Sequence, residues 1–572
     1  MKANGLVLAG AAAAFLASCT QGMAAGPSTV GTEKVKHVLL ISIDGMHAVD
    51  YFNCTRGIAG VNGGSPYCPN LAALGKTGIN YAAVTSSKPS DSFPGLTALI
   101  TGGTPRTTGI YYDVAFDRQF DGPTIATLSG LAAGSCTPFG TPIGTTTDNT
   151  NGIDYDDTKL NGGAPGAAVT DGTAAAINPL RLSRDPRTGC APVFPYNFIY
   201  TNTIFGVVHA AGGYTAWIDK RPSYAFVNGP GNGTNVDDLY VPEVASNVIP
   251  LPGVTTALGA ACSPVRDTTQ LSGWNSSFAN IQCYDALRVN ALLNEIAGKT
   301  HLGAAGVTPT VFGMNFQSVY YGESLVEPGV GTGGYQNAAG LPTDELLNEI
   351  QFVDASIGNI VAALKDQGIY DSTLIIVTAK HGGSPIDPTR YVADGTNTPA
   401  TLLHDFIPYS ESPLNPTGIG ATEDDVSVLW LNKGASIPAA VAILEENATA
   451  LGLGQIYYGP TLALNYGFGG WAPGDNPRTP DIIVTPNVGV TYSGSTSMII
   501  DHGGFAHDDT NVMLLVSHPT FTAQTVLAET ATTQVAPTIV DALGLDPASL
   551  QAVKAEGTPV LTQVAAQLGV PQ

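Results

Sequence analysis

The chain has 572 residues, more than the roughly 100–200 of a usual domain, so it folds either as one large core carrying insertions or as several domains. Charged residues make up only 12%, and Lys+Arg 23 against Asp+Glu 46 give a formal charge of −23. That field repels nucleic acid duplexes and anionic membrane surfaces alike, and any anionic substrate needs a local cation.

The first residues, MKANGLVLAGAAAAFLASC, place Lys2 before an uncharged apolar run too short to span a bilayer as a mature helix, which reads as an export signal over residues 1–18. The ending LASC is similar to a bacterial lipoprotein box, which implies cleavage before Cys19 and lipidation of its sulfur. A plain secretory signal with a chance cysteine is the alternative. Residues 19–33 then form a tether, and Thr20 is compatible with an outer-membrane destination. The expectation is an envelope lipoprotein facing the periplasm or the cell surface, touching membrane through its anchor alone.

VKHVLLISID reads as a buried parallel strand ending at Asp44. CPNLAALGKTG reads as a helix stopped by glycine, INYAAVTSS as a strand, and FPGLTALITG as a helix with proline near its start. Residues 131–295, rich in Gly, Pro, Thr and Asn, read as a loop-dominated insertion or cap. PTVFGMNF and STLIIVTAK are further strands; between them Leu346, Ile350, Val353, Ile357, Ile360 and Val361 recur at helical spacing. Residues 405–480, with a strand-like VSVLWLN and a helical IPAAVAILEENATAL, read as a small α+β insertion, after which PDIIVTP and NVMLLVSHP return to the main sheet. Strands alternating with helices predict an α/β fold: a mainly parallel central sheet, helices on both faces, built from segments 34–130, 296–404 and 481–572.

Setting Cys19 aside leaves six cysteines, an even number that points to disulfides in an oxidising compartment. Fifteen connectivities are open. Sequence neighbours, Cys54–Cys68, Cys136–Cys190 and Cys262–Cys283, are the preferred set because each pair sits within one loop-rich stretch.

In open α/β sheets, ligands bind beyond the carboxyl ends of the strands. The polar residues expected there are Asp44 and His47, Ser90 and Ser92, Asn315 and Gln317, Lys380 and His381, and then Asp501, His502, His507 and Asp508 from DHGGFAHDD. A carboxylate, several imidazoles and a hydroxyl on one edge suit a metal-assisted hydrolase.

The series LLISIDGM, SFPGLTALITGGTPRTTGIYYD, IVTAKHG and DHGGF resembles the alkaline phosphatase superfamily, and within it the type I phosphodiesterase/nucleotide pyrophosphatase branch. The resemblance covers residues 35–125, 305–390 and 480–545. It implies an alkaline-phosphatase-like fold and an esterase that holds two zinc ions and passes through a phosphorylated Thr or Ser. Residue by residue it implies Asp44, His381 and His502 as metal ligands, with Ser92, directly before FP, as nucleophile and fourth ligand. A hydroxyl at a helix start faces an attacked phosphoryl group with the backbone N–H groups beside it; the plainer role for Ser92 is an N-cap, and Ser90 reads as a cap or turn residue.

The sequence departs from the family at Lys380, where a bridging carboxylate belongs, and at Gln317 and Tyr321, where an Asp and a His belong. An ammonium cannot ligate a metal, so the pattern implies one divalent ion, zinc, rather than two. Lys380 would then stabilise charge on a phosphoryl or sulfuryl group; a Lys380–Asp44 salt bridge in a site without metal is the alternative. His47, Asp501 and His507 are accessory candidates. His209, His301, His404 and His518 have no motif company and read as structural. The expected function is extracytoplasmic hydrolysis of a small-molecule or lipid phosphoester, and the alternative is a degenerate, lipid-anchored binding member of the same fold.

Overall fold

The computed structural model describes residues 34–127, 131–148, 177–244, 276–407, 421–472, 474–495 and 497–569, so the export signal and Cys19 lie outside the described residues. At its centre is an eight-stranded sheet. Its strands are β1 (His37–Ile43), β2 (Gly78–Tyr81), β3 (Ala216–Ile218), β4 (Asp238–Tyr240), β5 (Val311–Phe316), β6 (Thr373–Thr378), β7 (Leu514–Ser517) and β8 (Gln524–Val526), in the order β8-β2-β7-β6-β1-β5-β3-β4. β1 sits between two parallel neighbours, with Ile41 opposite Met314 on one side and Val377 on the other. Within this sheet β7 runs against the rest, antiparallel to both β6 and β2.

The runs VFGMNF and TLIIVT are buried throughout, as is HVLLISI after its first residue. Helices cover both faces, so there is no solvated side to impose polar alternation. One helical layer packs Ala48–Arg56, Pro69–Gly75, Phe278–Ile296, Ser318–Ser324 and Asp344–Asp366 together; the other packs Ser92–Thr101, Ile204–Ala210, Val535–Ala542 and Thr562–Leu568. In Asp344–Asp366 the Thr343 hydroxyl caps the Leu346 N–H, and Leu346, Ile350, Val353, Ile357 and Ile360 form the buried stripe that the spacing predicts.

Two stretches differ from expectation. Residues 131–295 supply β3, β4 and the helices Ile204–Ala210 and Phe278–Ile296, besides loops. Each of those strands has only three residues, AWI and DLY, too short for any periodicity to register. PDIIVTP joins not the central sheet but a four-stranded antiparallel one, in which Ile482–Pro486 lies between Ser427–Leu429 and Leu453–Tyr458. Leu429, Leu431, Ile482 and Val484 pack on Val441 and Leu444, while Val428, Trp430 and Ile483 pack on Tyr111, Tyr112 and Phe116. With both faces covered, an antiparallel strand shows the same unbroken apolar run as a central parallel one.

Cys54 pairs with Cys68 and Cys136 with Cys190. Cys283 is also disulfide-bonded, and Cys262 lies outside the described residues. Among the described residues no helix is long and apolar enough to cross a membrane.

Candidate active site

Three chain segments meet beyond the carboxyl end of β1. β1 delivers Asp44 and β6 delivers Lys380 and His381, all fully buried; the third segment is the start of the helix Ser92–Thr101. The cap of that helix is Asp91, whose Oδ2 accepts from the backbone N–H of Phe93 (3.0 Å) and of Asp113 (3.1 Å). Ser92 is therefore the first residue inside the helix, with its hydroxyl released from capping. Ser90 is a loop tie, its hydroxyl donating to the Asp509 carbonyl at 2.6 Å. Gly95 allows the close approach: a Cβ there would stand 2.3 Å from the Lys380 carbonyl oxygen.

Asp44 Oδ2 is crowded by donors. Gln317 Nε2 lies at 2.5 Å, Asn315 Nδ2 at 3.3 Å, Lys220 Nζ at 3.2 Å and Lys380 Nζ at 3.4 Å. Burial opposes ionisation, but Lys380, Lys220 and His381 outweigh it and hold the Asp44 carboxyl well below the usual carboxylate range. The Ser92 hydroxyl donates to His381 Nε2 (3.1 Å) and accepts from Lys220 Nζ (3.0 Å). His381 Nδ1 lies 2.8 Å from the Gly382 carbonyl, which assigns the proton to Nδ1 and leaves Nε2 as an acceptor. Burial, reinforced by the neighbouring His502, pushes His381 down to about 4, so it is neutral at pH 7.

Lys220 is a residue that sequence reasoning missed. It lies two residues past the end of β3, and its only sequence signal is a short apolar run ending in the polar pair Asp219-Lys220. Asp219 is anchored by Trp217 Nε1 (3.1 Å) and accepts the Lys220 backbone N–H (2.8 Å), an arrangement that fixes the turn from which Lys220 reaches Ser92. Lys380 Nζ lies 3.5 Å from Asp219 Oδ1 and 4.6 Å from the centre of the Tyr224 ring.

His502 lies against His381 with ring centres 4.1 Å apart and ring planes tilted by 43°. Burial lowers its basicity, but Asp501, Asp91 and Asp424 more than compensate and raise it to about 9, so it is cationic at neutral pH. Its Nε2 lies 3.5 Å from Asp91 Oδ1 and its Nδ1 3.4 Å from Asp501 Oδ1. The tyrosine that reaches it is Tyr320, through a hydroxyl 3.2 Å from Nδ1, whereas Tyr321 packs edge-on against Tyr320. His47 is buried behind the loop that follows His381: Nδ1 lies 2.8 Å from Asp50 Oδ2 and Nε2 2.9 Å from the Gly383 carbonyl. Burial opposes its charge, yet Glu323 and Asp50 hold it well above its ordinary value, so it braces that loop as an imidazolium. His507 is exposed and lines a cavity of about 430 Å³ with Arg390 and Asp508.

The family model for type I phosphodiesterase / nucleotide pyrophosphatase matches residues 38–129 and 331–507, the segments that carry Asp44, Ser92, Lys380, His381 and His502. The chain belongs to the type I phosphodiesterase/nucleotide pyrophosphatase-like branch of the alkaline phosphatase superfamily. By family this member of the branch is a hydrolase of phosphoester bonds. Murine ectonucleotide pyrophosphatase / phosphodiesterase 5 shares its fold, with a TM-score of 0.50 and 14% identity over 89% of this chain and 96% of that one. An inactive variant of the murine protein in complex with AMP aligns over the same shares, with a TM-score of 0.51 and 14% identity. No curated protein matches the sequence.

Members of this branch typically use divalent metal, but the donors around Ser92 do not fit such an ion. Lys220 Nζ stands 3.0 Å from Ser92 Oγ and 3.2 Å from Asp44 Oδ2, the place from which an ion would touch both. A divalent ion about 4 Å from one ammonium is opposed by about 8 kcal/mol, twice the value for two unit charges at an effective dielectric of 20. Two such repulsions cancel the attraction of one carboxylate oxygen at about 2.1 Å, which is about 16 kcal/mol at the same dielectric. Asp44 Oδ1, Asn315 Oδ1 and Asp91 Oδ1 are buried acceptors with no hydrogen-bond partner, yet among the described residues no three His, Cys, Asp or Glu donors at this centre lie mutually within 4.8 Å. Gln317 spends its amide donor on Asp44. Among the described residues, one set of three His, Cys, Asp or Glu donors lies mutually within 4.8 Å: His47, Asp50 and Glu323. It is closed by internal bonds, with the Tyr335 hydroxyl 2.9 Å from Asp50 Oδ2 and 2.7 Å from Glu323 Oε1.

Proposed function

We propose that the chain is an exported phosphoester hydrolase in which Ser92 is the nucleophile. The observation that carries this reading is the position of the Ser92 hydroxyl, between the acceptor Nε2 of His381 and the ammonium of Lys220 at a helix start. In the first step Ser92 Oγ bonds to phosphorus, its proton passes to His381 Nε2, and the bond from phosphorus to the ester oxygen breaks. The imidazolium of His502 gives the departing oxygen its proton. In the second step water adds to the phosphoserine and gives a proton to His502, the P–Oγ bond breaks, and His381 returns its proton to Ser92 Oγ. Lys220 and the helix N–H groups face the charge that builds on the phosphoryl oxygens.

A nucleotide phosphoester is the first substrate class to test, because the murine protein of like fold was captured with AMP. The disulfides fit an oxidising compartment, and lipid anchoring at Cys19 is part of the same reading. A second reading, ligand binding without turnover, is favoured by Lys380 standing where the family has a carboxylate. The deciding experiment is incubation with an aryl phosphodiester followed by mass spectrometry after acid quench. Phosphate on Ser92, and loss of turnover in Ser92→Ala with an unchanged circular dichroism spectrum, supports the hydrolase. Turnover that survives Ser92→Ala removes it.

A further inference from the structure

We infer that the ammonium groups of Lys220 and Lys380 take the place of the divalent ion at the Ser92 centre, so that this member of the branch works there without metal; the inference rests on Ser92 as nucleophile. Both cations are supplied by strand ends. Lys380 follows β6, is fully buried, and is held between Asp44, Asp219 and the Tyr224 ring. Lys220 follows β3, retains 13% side-chain exposure, and is the cation that touches the nucleophile. Asp44 and Asp219 balance the two charges, so both carboxylates are already matched by cations.

The two lysines have separate jobs. Lys220 is a catalytic residue: it donates to Ser92 Oγ and stabilises the alkoxide as the proton leaves for His381. Lys380 is a positioning residue that acts through Asp44, which in turn orients Lys220. Substituting an ion by these ammonium groups makes activity independent of free metal and ties it to the presence of a cationic side chain at position 220.

The test uses the mature chain, dialysed against EDTA, with bis(p-nitrophenyl) phosphate as substrate and Zn²⁺ as the metal probe. Turnover unchanged by EDTA and not raised by zinc is the expected result, with Lys220→Met losing about 10²–10³-fold and Lys220→Arg recovering part of the loss. Calorimetric titration of the wild type with zinc should show no site that Asp44→Asn removes. The double variant Lys380→Asp with Lys220→Ala should gain one, and Asp44→Asn added to it should abolish that gain. A zinc ion bound to wild type that Glu323→Gln removes and Asp44→Asn leaves belongs to the His47 group and upholds the inference.

The inference is overturned if EDTA abolishes turnover and zinc restores it, or if wild type holds one zinc that Asp44→Asn releases. Should the substrate remain uncleaved under every condition, the Ser92 reading fails, while the zinc titration of wild type against Asp44→Asn still decides the present question. The wild-type arms stand even if the double variant does not fold.

Discussion

Replacing Asp44 by asparagine separates a lysine-balanced site from an ion site by the sign of its effect on stability. Asp44 is fully buried and is the nearest carboxylate to two ammonium groups, at 3.2 and 3.4 Å, one of them on the fully buried Lys380. Breaking a buried pair by removing one partner costs about 3–5 kcal/mol. Asp219 remains 3.5 Å from Lys380 and Lys220 reaches solvent, so the lower end, about 3 kcal/mol, is expected. The folded-state pKa of Asp44 is depressed, so its contribution is present above the unfolded value, about 3.9, and is lost as pH falls through the folded value. Urea unfolding followed by tryptophan fluorescence at pH 7, in EDTA, should show a lower midpoint at unchanged slope. A loss below about 1 kcal/mol, or a gain, refutes the argument, since a gain is what neutralising one carboxylate of an unfilled cation site produces. Adding Lys380→Met should restore much of the loss, because the stranded charge goes with it.

Other consequences are as direct. Ser92→Ala should lower turnover by at least about 10³-fold, on the scale of losing an attacking hydroxyl from a serine hydrolase, with the phosphoserine signal gone. The rate profile should be bell-shaped: activity falls as pH drops through about 4, where His381 becomes protonated, and falls again as pH rises through about 9, where His502 loses its proton. A profile still rising above pH 10 contradicts the role given to His502. Gly95→Ala should destabilise by about 1–3 kcal/mol through overpacking against the Lys380 carbonyl, outweighing the roughly 1 kcal/mol that alanine gains in helix propensity; a rise in melting temperature refutes that contact. Removing the Cys54–Cys68 bridge, whose partners are 14 residues apart, should cost about 3 kcal/mol by the loop-closure relation, read from unfolding of the double serine variant.

Asp44, Ser92 and His381 were legible because each is tied to a recognisable local signal. Asp44 and His381 end long buried runs, and Ser92 precedes a proline near a helix start. Lys220 was not legible, since its strand has three residues and sits in a Gly- and Pro-rich stretch where no period of two can be counted. Tyr321 stands by resemblance where the family has a His; the tyrosine that reaches His502 is Tyr320, one residue and about 100° away on the same helix. Gln317 was found by position, but its task is to donate to Asp44. Pairing PDIIVTP with the wrong sheet has the same physical root as the correct reading of β1, because full burial erases the alternation that distinguishes antiparallel strands.

The sheet order explains why lysine is the residue that fills the ion's place. β3 is separated from β1 by β5, so with strands about 4.8 Å apart their ends lie roughly 10 Å from each other. A carboxylate or imidazole at position 220 is too short to reach Asp44 across an intervening strand, whereas lysine carries its charge on a flexible four-carbon stem. Lys380 shares Asp44 with Lys220, and Lys220 is the one that approaches Ser92, at 3.0 Å. The match to the family model omits residues 130–330, the stretch from which Lys220 comes. On the proposed reading, lysine at 380 takes away a ligand and lysine at 220 supplies the positive charge beside Ser92 that an ion otherwise provides. The first change is compatible with catalysis because of the second, and neither is interpretable from the matched segments alone.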